Sequence, residues 1–256
     1  MRHPGLTEAI RAVGGISELA RRLGISQPSV SNWERVPVDR VVAVEQVTGI
    51  DRAVLRPDLF APQTEGVDDV DLARAREYGL LAMLLVRAPD ADLLQRLADL
   101  KADPSPLGLA HAALARAAEQ ASVGSVEHEY FDLFIGLGRG ELMPYGSYYL
   151  TGFLHERPLA RLRADLAALG IERTEGNCEP EDHLGILCEV MAGLADGRFG
   201  APERTDQHIF HKHLAPWAGR FFADLEVAER ADFYRHVGTL GRVFMDIESQ
   251  AFALPL

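Results

Sequence analysis

The sequence predicts an all-α protein in two parts, a small helix-turn-helix domain followed by a larger all-helical one. Three observations carry this. Apolar residues recur at helical spacing along most of the chain, and hardly any segment alternates as a strand does. An apolar fraction of 47% over 256 residues is enough for one large core or two smaller ones. Charge then divides the chain. Residues 1–60 hold 8 basic and 7 acidic side chains, net +1, and the rest holds 18 and 31, net −13, so the chain's acidity resides in the second part. The domains are placed at 1–60 and 70–256. Residues 61–69, with Pro62, Gly66 and three acids, form the linker between them.

The first part reads as short helices. Leu6 to Val13 is one, broken by Gly14-Gly15. Ile16 to Leu23 is the next, with Leu19, Ala20 and Leu23 on one face and Gly24 as its stop, because glycine accepts the left-handed cap conformation. Ser26 can cap a third helix, Gln27 to Arg35, with Val30 and Trp33 inward, until Pro37 interrupts it. A fourth runs from about Val38 to Thr48 before Gly49, and Arg52–Leu55 adds a turn. Two short helices joined at a glycine turn, the second opened by a small polar cap, form a helix-turn-helix.

The second part continues in the same period. Val70 to Val86, Ala91 to Ala102, the alanine-rich Leu107 to Ala121, and Val126 to Ile135 are predicted helices. Gly136 to Gly140 is a loop. It follows a helix pattern, not the strand that a phosphate cradle needs. A proline turn at Pro144 opens a short aromatic helix to Phe153, and Pro158 to Leu169 is amphipathic. Glu172 to Cys178 reads as polar loop. Glu203 to Leu225 is divided by Pro216, and Ala231 to Phe252 closes the chain. The helix before these, Pro180 to Leu194, organises the domain. Pro180 suits its first position, which puts Glu179 at the N-cap and Glu181 and Asp182 in the first turn, where carboxylates complement the helix dipole. Leu184, Leu187, Cys188 and Met191 give it a buried face. Read by spacing alone, it is equally a well-capped core helix.

Composition narrows the function. The acidic balance argues against nucleic acid as partner of the whole chain and suits a basic ligand. Two cysteines, Cys178 and Cys188, make no disulfide framework, so a reducing cytoplasm is expected. No apolar run reaches the roughly 18 residues of a membrane span, and no secretory signal opens the chain. No metal or cofactor is expected. His208, His211 and His213 cluster, but 213 leaves the face that 208 and 211 share. No nucleophile sits in a catalytic motif, so the expectation is not an enzyme. What remains is binding chemistry. Asp182, Glu179 and Asp132 offer carboxylates to a partner's arginines, and Tyr130, Phe134, Tyr145, Tyr149 and Trp217 offer apolar walls or simply core. His183 adds a hydrogen-bonding or pH-sensitive group. From the residues alone the partner is basic and amphipathic.

Two resemblances sharpen this. Ser17-Glu18-Leu19-Ala20 through Gly24-Ile25-Ser26-Gln27-x-Ser29-Val30-Ser31-Asn32-Trp33 resembles the Cro-like, YdaS-type DNA-binding domains, over about residues 5–60. Gln27, Ser29, Ser31, Asn32 and Arg35 would project from the second helix towards base edges, and Arg21, Arg22 and Arg40 would meet phosphates. With a net charge of +1 here, tight DNA binding needs a homodimer or a second protein. A protein-interaction module is the alternative. In the second part, Glu179-Pro180-x-Asp182-His183, Tyr130-x-x-Leu133-Phe134-x-Gly136, Pro144-Tyr145-Gly146-Ser147-x-Tyr149 and His213-Leu214-x-Pro216-Trp217 stand in order over about residues 70–252. Together they resemble the TorD-type chaperones that mature molybdenum-cofactor redox enzymes. The resemblance implies an all-helical chaperone. It would bind a molybdenum-cofactor oxidoreductase precursor, through its twin-arginine leader peptide, before export or cofactor insertion. The implied binding residues are Tyr130, Asp132, Phe134, Pro144, Tyr145, Ser147, Glu179, Pro180, Asp182, His183 and Trp217. The other reading is a transcription regulator that uses the second domain as sensor or oligomerisation module.

Overall fold

A computed structural model of the chain describes residues 3–57, 67–172 and 179–254. Most of the expected linker, and Cys178, lie outside the described residues. The chain divides into two compact units, 1–66 and 67–256. Both are helical, and among the described residues the only strand-like pairing is a single bridge between Tyr145 and His183.

The first unit contains α1 (Pro4–Ala12), α2 (Ile16–Leu23), α3 (Gln27–Ser31), α4 (Val41–Thr48) and α5 (Arg52–Leu55). Gly24 ends α2 in the left-handed conformation, φ 66°, as its residue type predicts. Gly5 permits α1 to lie on α5, because a Cβ there would sit 2.3 Å from the Val54 carbonyl oxygen. Two expectations are corrected. The third helix stops at Ser31 instead of Arg35, so Asn32 is its C-cap and Arg35 lies beyond it on the exposed chain. Beyond the helix the chain extends so that Val36 can be buried with Leu6, Val41 and Leu55, and the Arg56 guanidinium donates to the Val36 carbonyl at 2.7 Å. The fourth helix is a tight turn at Val38–Arg40 that only then becomes α4.

The second unit contains α6 (Asp69–Val86), α7 (Ala91–Ala98), α8 (Pro106–Gln120), α9 (Val123–Tyr130), α10 (Gly146–Thr151), α11 (Arg157–Ala168), α12 (Leu184–Ala195), α13 (Thr205–Ile209), α14 (Ala218–Val227) and α15 (Phe233–Ala253). α6 starts where Asp68 accepts from the Val70 and Asp71 N–H groups, satisfying donors the helix cannot. It packs on α12, whose residues are buried on nearly every side, and α14 packs on α15. Gly241 admits that second pair, since a Cβ there would meet the Phe222 ring at 2.2 Å. α9 and α13 each run into a wider turn closed by a fifth-residue bond, Gly136 to Phe131 and Ala215 to Phe210. Pro216 lies between α13 and α14, where a proline was expected to divide a helix. A buried charge network ties α6 to α15: Glu248 accepts from Arg74 and from the Tyr78 hydroxyl.

Candidate functional site

The site is built around residues 179–183, and here the structure corrects the sequence reading. Glu179 is not an N-cap, and no acid lies in the first turn of α12. The helix begins at Leu184, with His183 as its cap. Tertiary pairing decides this. The Gly146 N–H donates to the Asp182 carbonyl at 2.9 Å, and the Leu184 N–H donates to the Pro144 carbonyl at 2.8 Å. Residues 182–184 therefore lie extended beside 144–146, and only a turn, from the His183 N–H to the Pro180 carbonyl, precedes them.

That pairing gives Asp182 a different helix to cap. The residue is 3% exposed, and its Oδ2 accepts from the Ser147 N–H at 2.7 Å, in the first turn of α10. Tyr145, the residue at the N-cap of α10, makes no side-chain capping bond. Among the described residues, Asp182 Oδ1 and the Ser147 hydroxyl have no hydrogen-bond partner. Asp182 lines a cavity of about 90 Å³ together with Leu150, Leu162 and Trp217. Arg161 and Lys212 also line it, and Lys212 is paired with Asp165 at 2.7 Å.

His183 accepts from the Gly185 N–H through Nδ1 at 3.1 Å, so its proton resides on Nε2. Burial lowers its pKa to about 4 against the pull of Glu179 and Asp182, and the ring is neutral at physiological pH. Tyr145 places its ring edge-on to His183 at 5.2 Å and donates its hydroxyl to Glu179 at 2.6 Å. Burial, then Glu179, pushes that phenol well above its ordinary value. Pro144 is buried and Pro180 half-buried. The structure thus brings Pro144, Tyr145, Ser147, Glu179, Pro180, Asp182 and His183 together.

Of the remaining predicted residues, Trp217 lines the Asp182 cavity from the core side, and Asp132, Tyr130 and Phe134 make contacts of their own. Asp132 pairs with Arg230 at 3.3 Å and His128 at 3.5 Å. Tyr130 donates to the Leu85 carbonyl, and its ring meets Phe134 and Tyr234. Trp217 is 2% exposed and donates to the His213 carbonyl at 2.6 Å. Trp217 belongs to the main apolar core, and Tyr130 and Phe134, partly buried, pack against it. Sequence reasoning passed over Asp165, which holds both Lys212 and His213 across 47 and 48 residues. Local spacing carries no signal for such a pair. Among the described residues, no group of three or more His, Cys, Asp or Glu is placed to hold a metal ion. No described helix is long and apolar enough to cross a membrane.

In the first unit, Gln27, Ser29 and Asn32 are exposed and Ser31 is half-buried. Arg21 and Arg22 both turn to Glu18, with nitrogen–oxygen distances of 2.6–2.9 Å. Hydrogen bonds from the two arginines hold the Glu18 carboxyl down at about 2.

Comparison with known proteins follows the same division. The nitrate reductase delta subunit family matches residues 100–223, and the bacterial toxin YdaS family matches residues 6–64. The chaperone protein TorD of Shewanella loihica is 24% identical over 202 residues, which is 70% of this chain and 92% of that protein. The "Probable Tat proofreading chaperone DmsD" of Haemophilus influenzae is 30% identical over 118 residues, 45% of this chain and 56% of its own. TorD of Vibrio cholerae is 37% identical over 102 residues, 36% of this chain and 46% of its own. The chain thus spans nearly all of the first relative and about half of the other two. A crystal structure titled "Putative Redox Enzyme Maturation Protein From Archaeoglobus Fulgidus" aligns at 20% identity and TM-score 0.45, over 68% of this chain and 93% of that one. The TorD and DmsD relatives are named chaperones, and a non-catalytic role agrees with them. The second unit is a sequence homologue of the TorD and DmsD chaperones, preceded in the same chain by a unit similar to the YdaS family.

Proposed function

We propose that the chain is a cytoplasmic chaperone for a molybdenum-cofactor oxidoreductase precursor and that it binds the precursor's twin-arginine leader beside Asp182. One observation carries the reading: Asp182, a residue only 3% exposed, holds α10 with one carboxylate oxygen, and the other oxygen has no partner among the described residues. A buried acceptor of this kind costs free energy until a donor reaches it. An arginine presents several donors in a rigid fork, and the apolar lining from Leu150, Leu162 and Trp217 suits its methylene stem. The acidic balance of the whole chain favours the same cationic partner.

The test is calorimetric titration with a twin-arginine leader and with the same peptide carrying two lysines. Asp182→Asn preserves the acceptor that the Ser147 N–H needs, so the fold should survive. Leader affinity should fall by about 1.5–3 kcal/mol, the range of a charge-assisted bond. The two-lysine peptide should bind the wild-type chain more weakly and distinguish less between the two proteins. If Asp182→Asn melts the domain while affinity per folded molecule is unchanged, the carboxylate is only a cap for α10.

A second reading concerns the first unit. Its match to the YdaS family and the exposed Gln27, Ser29 and Asn32 favour DNA contact. Glu18 occupies Arg21 and Arg22, two of the three arginines expected at phosphates. Glu18→Gln should therefore raise affinity for random-sequence DNA and steepen its dependence on salt. Ala at Gln27 and Asn32 together should relax base preference without unfolding. Selection from a random DNA pool that returns no motif, even with Glu18→Gln at low salt, would make this unit a protein-binding module. In the regulator reading, that selection would instead return an operator and the leader would not bind.

A further inference from the structure

Of the five rings that sequence offers as apolar walls for a leader, Trp217 is in the core, Tyr130, Phe134 and Tyr149 pack against it, and Tyr145 is held by Glu179, so a wider apolar receptor surface must come from other residues. One such surface lies between α11 and α12, a groove of about 520 Å³. Its floor is Leu166 of α11 with Ile186 and Val190 of α12, and Ile171 and Phe199 flank it. Phe199 remains 39% exposed. Its ring lies against α12 because residue 193 is glycine: a Cβ there would sit 2.3 Å from the ring.

Charge selects the occupant. Glu172, Glu181 and Glu189 line the groove with Arg163 and Arg198. Both arginines are already engaged, Arg163 with Glu181 and Arg198 with Asp196, each at 2.8 Å. Glu172 and Glu189 have no ion pair among the described residues. The groove is therefore apolar at its base and acidic at its edge, and it repels an acidic segment. It also adjoins the first site. Glu181 and Asp182 are consecutive, and α11 turns Arg161 and Leu162 to the Asp182 cavity while Arg163 and Leu166 line the groove.

We infer that this groove receives the apolar stretch of the same leader whose arginines meet Asp182, an inference that rests on the leader-binding reading above. An apolar leader stretch of about 7–15 residues carries little charge of its own, so the acidic rim would act on the flanking cations. A groove of this volume falls within the usual size range of peptide and small-ligand sites.

The experiment titrates the full chain with a twin-arginine leader and with the same leader bearing serines in place of its apolar stretch. Wild type should bind the serine peptide about tenfold more weakly, the scale of one well-buried apolar side chain. Phe199→Ser should lose a similar factor on the native leader and little more on the serine peptide, since both changes remove the same contact. The paired change Glu172→Lys and Glu189→Lys alters rim positions instead of the apolar floor. It should weaken the native leader, and less so at high salt. Asp182→Asn should follow the arginines and ignore the serines. If Phe199→Ser and the lysine pair bind the native leader like wild type while Asp182→Asn does not, the groove is wrong and the leader reading stands. If wild type binds neither peptide at low salt, both fall.

Discussion

Replacing Glu248 with alanine is expected to lower the unfolding free energy by about 3–5 kcal/mol, the cost of breaking a buried ion pair from one side. Glu248 is 1% exposed on α15. It accepts from Arg74 Nε at 2.8 Å and Nη2 at 2.9 Å, and from the Tyr78 hydroxyl at 2.9 Å. Arg74 also meets Asp71 at 2.7 Å and Asp206 at 2.8 Å, and it lies 4.8 Å above the Phe252 ring. Burial opposes the Arg74 charge, but these three carboxylates more than offset it and raise its pKa above the ordinary value. Alanine would leave a hydroxyl without an acceptor and a half-buried guanidinium with only its outer partners. Denaturant titration should show a lower midpoint with an unchanged slope. Adding Arg74→Ala to Glu248→Ala should cost less than Arg74→Ala alone, because the two act as one unit. A loss below about 1 kcal/mol would place the network with exposed surface pairs.

Trp217→Ala should destabilise the second unit by a similar amount, about 3–5 kcal/mol for a large aromatic lost from a core. The indole packs against Tyr149 at 5.6 Å and Phe221 at 6.4 Å between ring centres. Its Nε1 supplies the His213 carbonyl with a donor at 2.6 Å, in the turn between α13 and α14. It also sets the floor beneath α10: a Cβ on Gly146 would lie 3.1 Å from Nε1. Removal would enlarge the cavity that Asp182 lines and loosen the helix that Asp182 caps. Trp217→Phe retains most of the packing and loses the hydrogen bond, so it should cost about 1–2 kcal/mol. Thermal melting beside leader titration separates the roles. If Trp217→Ala leaves the melt unchanged and removes only leader affinity, Trp217 is a contact residue and not a core one.

Much of the helix inventory was legible because its signals are local. Gly24 and Gly49 stop their helices in left-handed conformations, and Pro216 divides the long pattern from Glu203 to Leu225. The buried face of α12 followed from the spacing of Leu184, Leu187, Cys188 and Met191, all buried. The misread ends have one cause in common. Ser31 ends α3, and His183 begins α12, because tertiary partners take the backbone: the Val36 carbonyl meets Arg56, and Pro144 and Gly146 pair with residues 182–184.

By itself, then, the sequence determined an all-α chain, the order of its helices, the motifs that mark a TorD- and DmsD-type homologue, and a cluster of carboxylates suited to a basic partner. Those features are written in periodicity, caps and composition, which each residue expresses with its near neighbours. Only the tertiary structure decided that Asp182 caps α10 instead of α12, that Trp217 is core, and that Arg163 neutralises Glu181 beside an apolar groove. These depend on contacts between residues 18 to 68 positions apart, such as Arg163 with Glu181 and Tyr149 with Trp217. A hydrogen bond or a ring contact acts over a few ångströms of space, so chain folding and not sequence spacing determines which groups it joins.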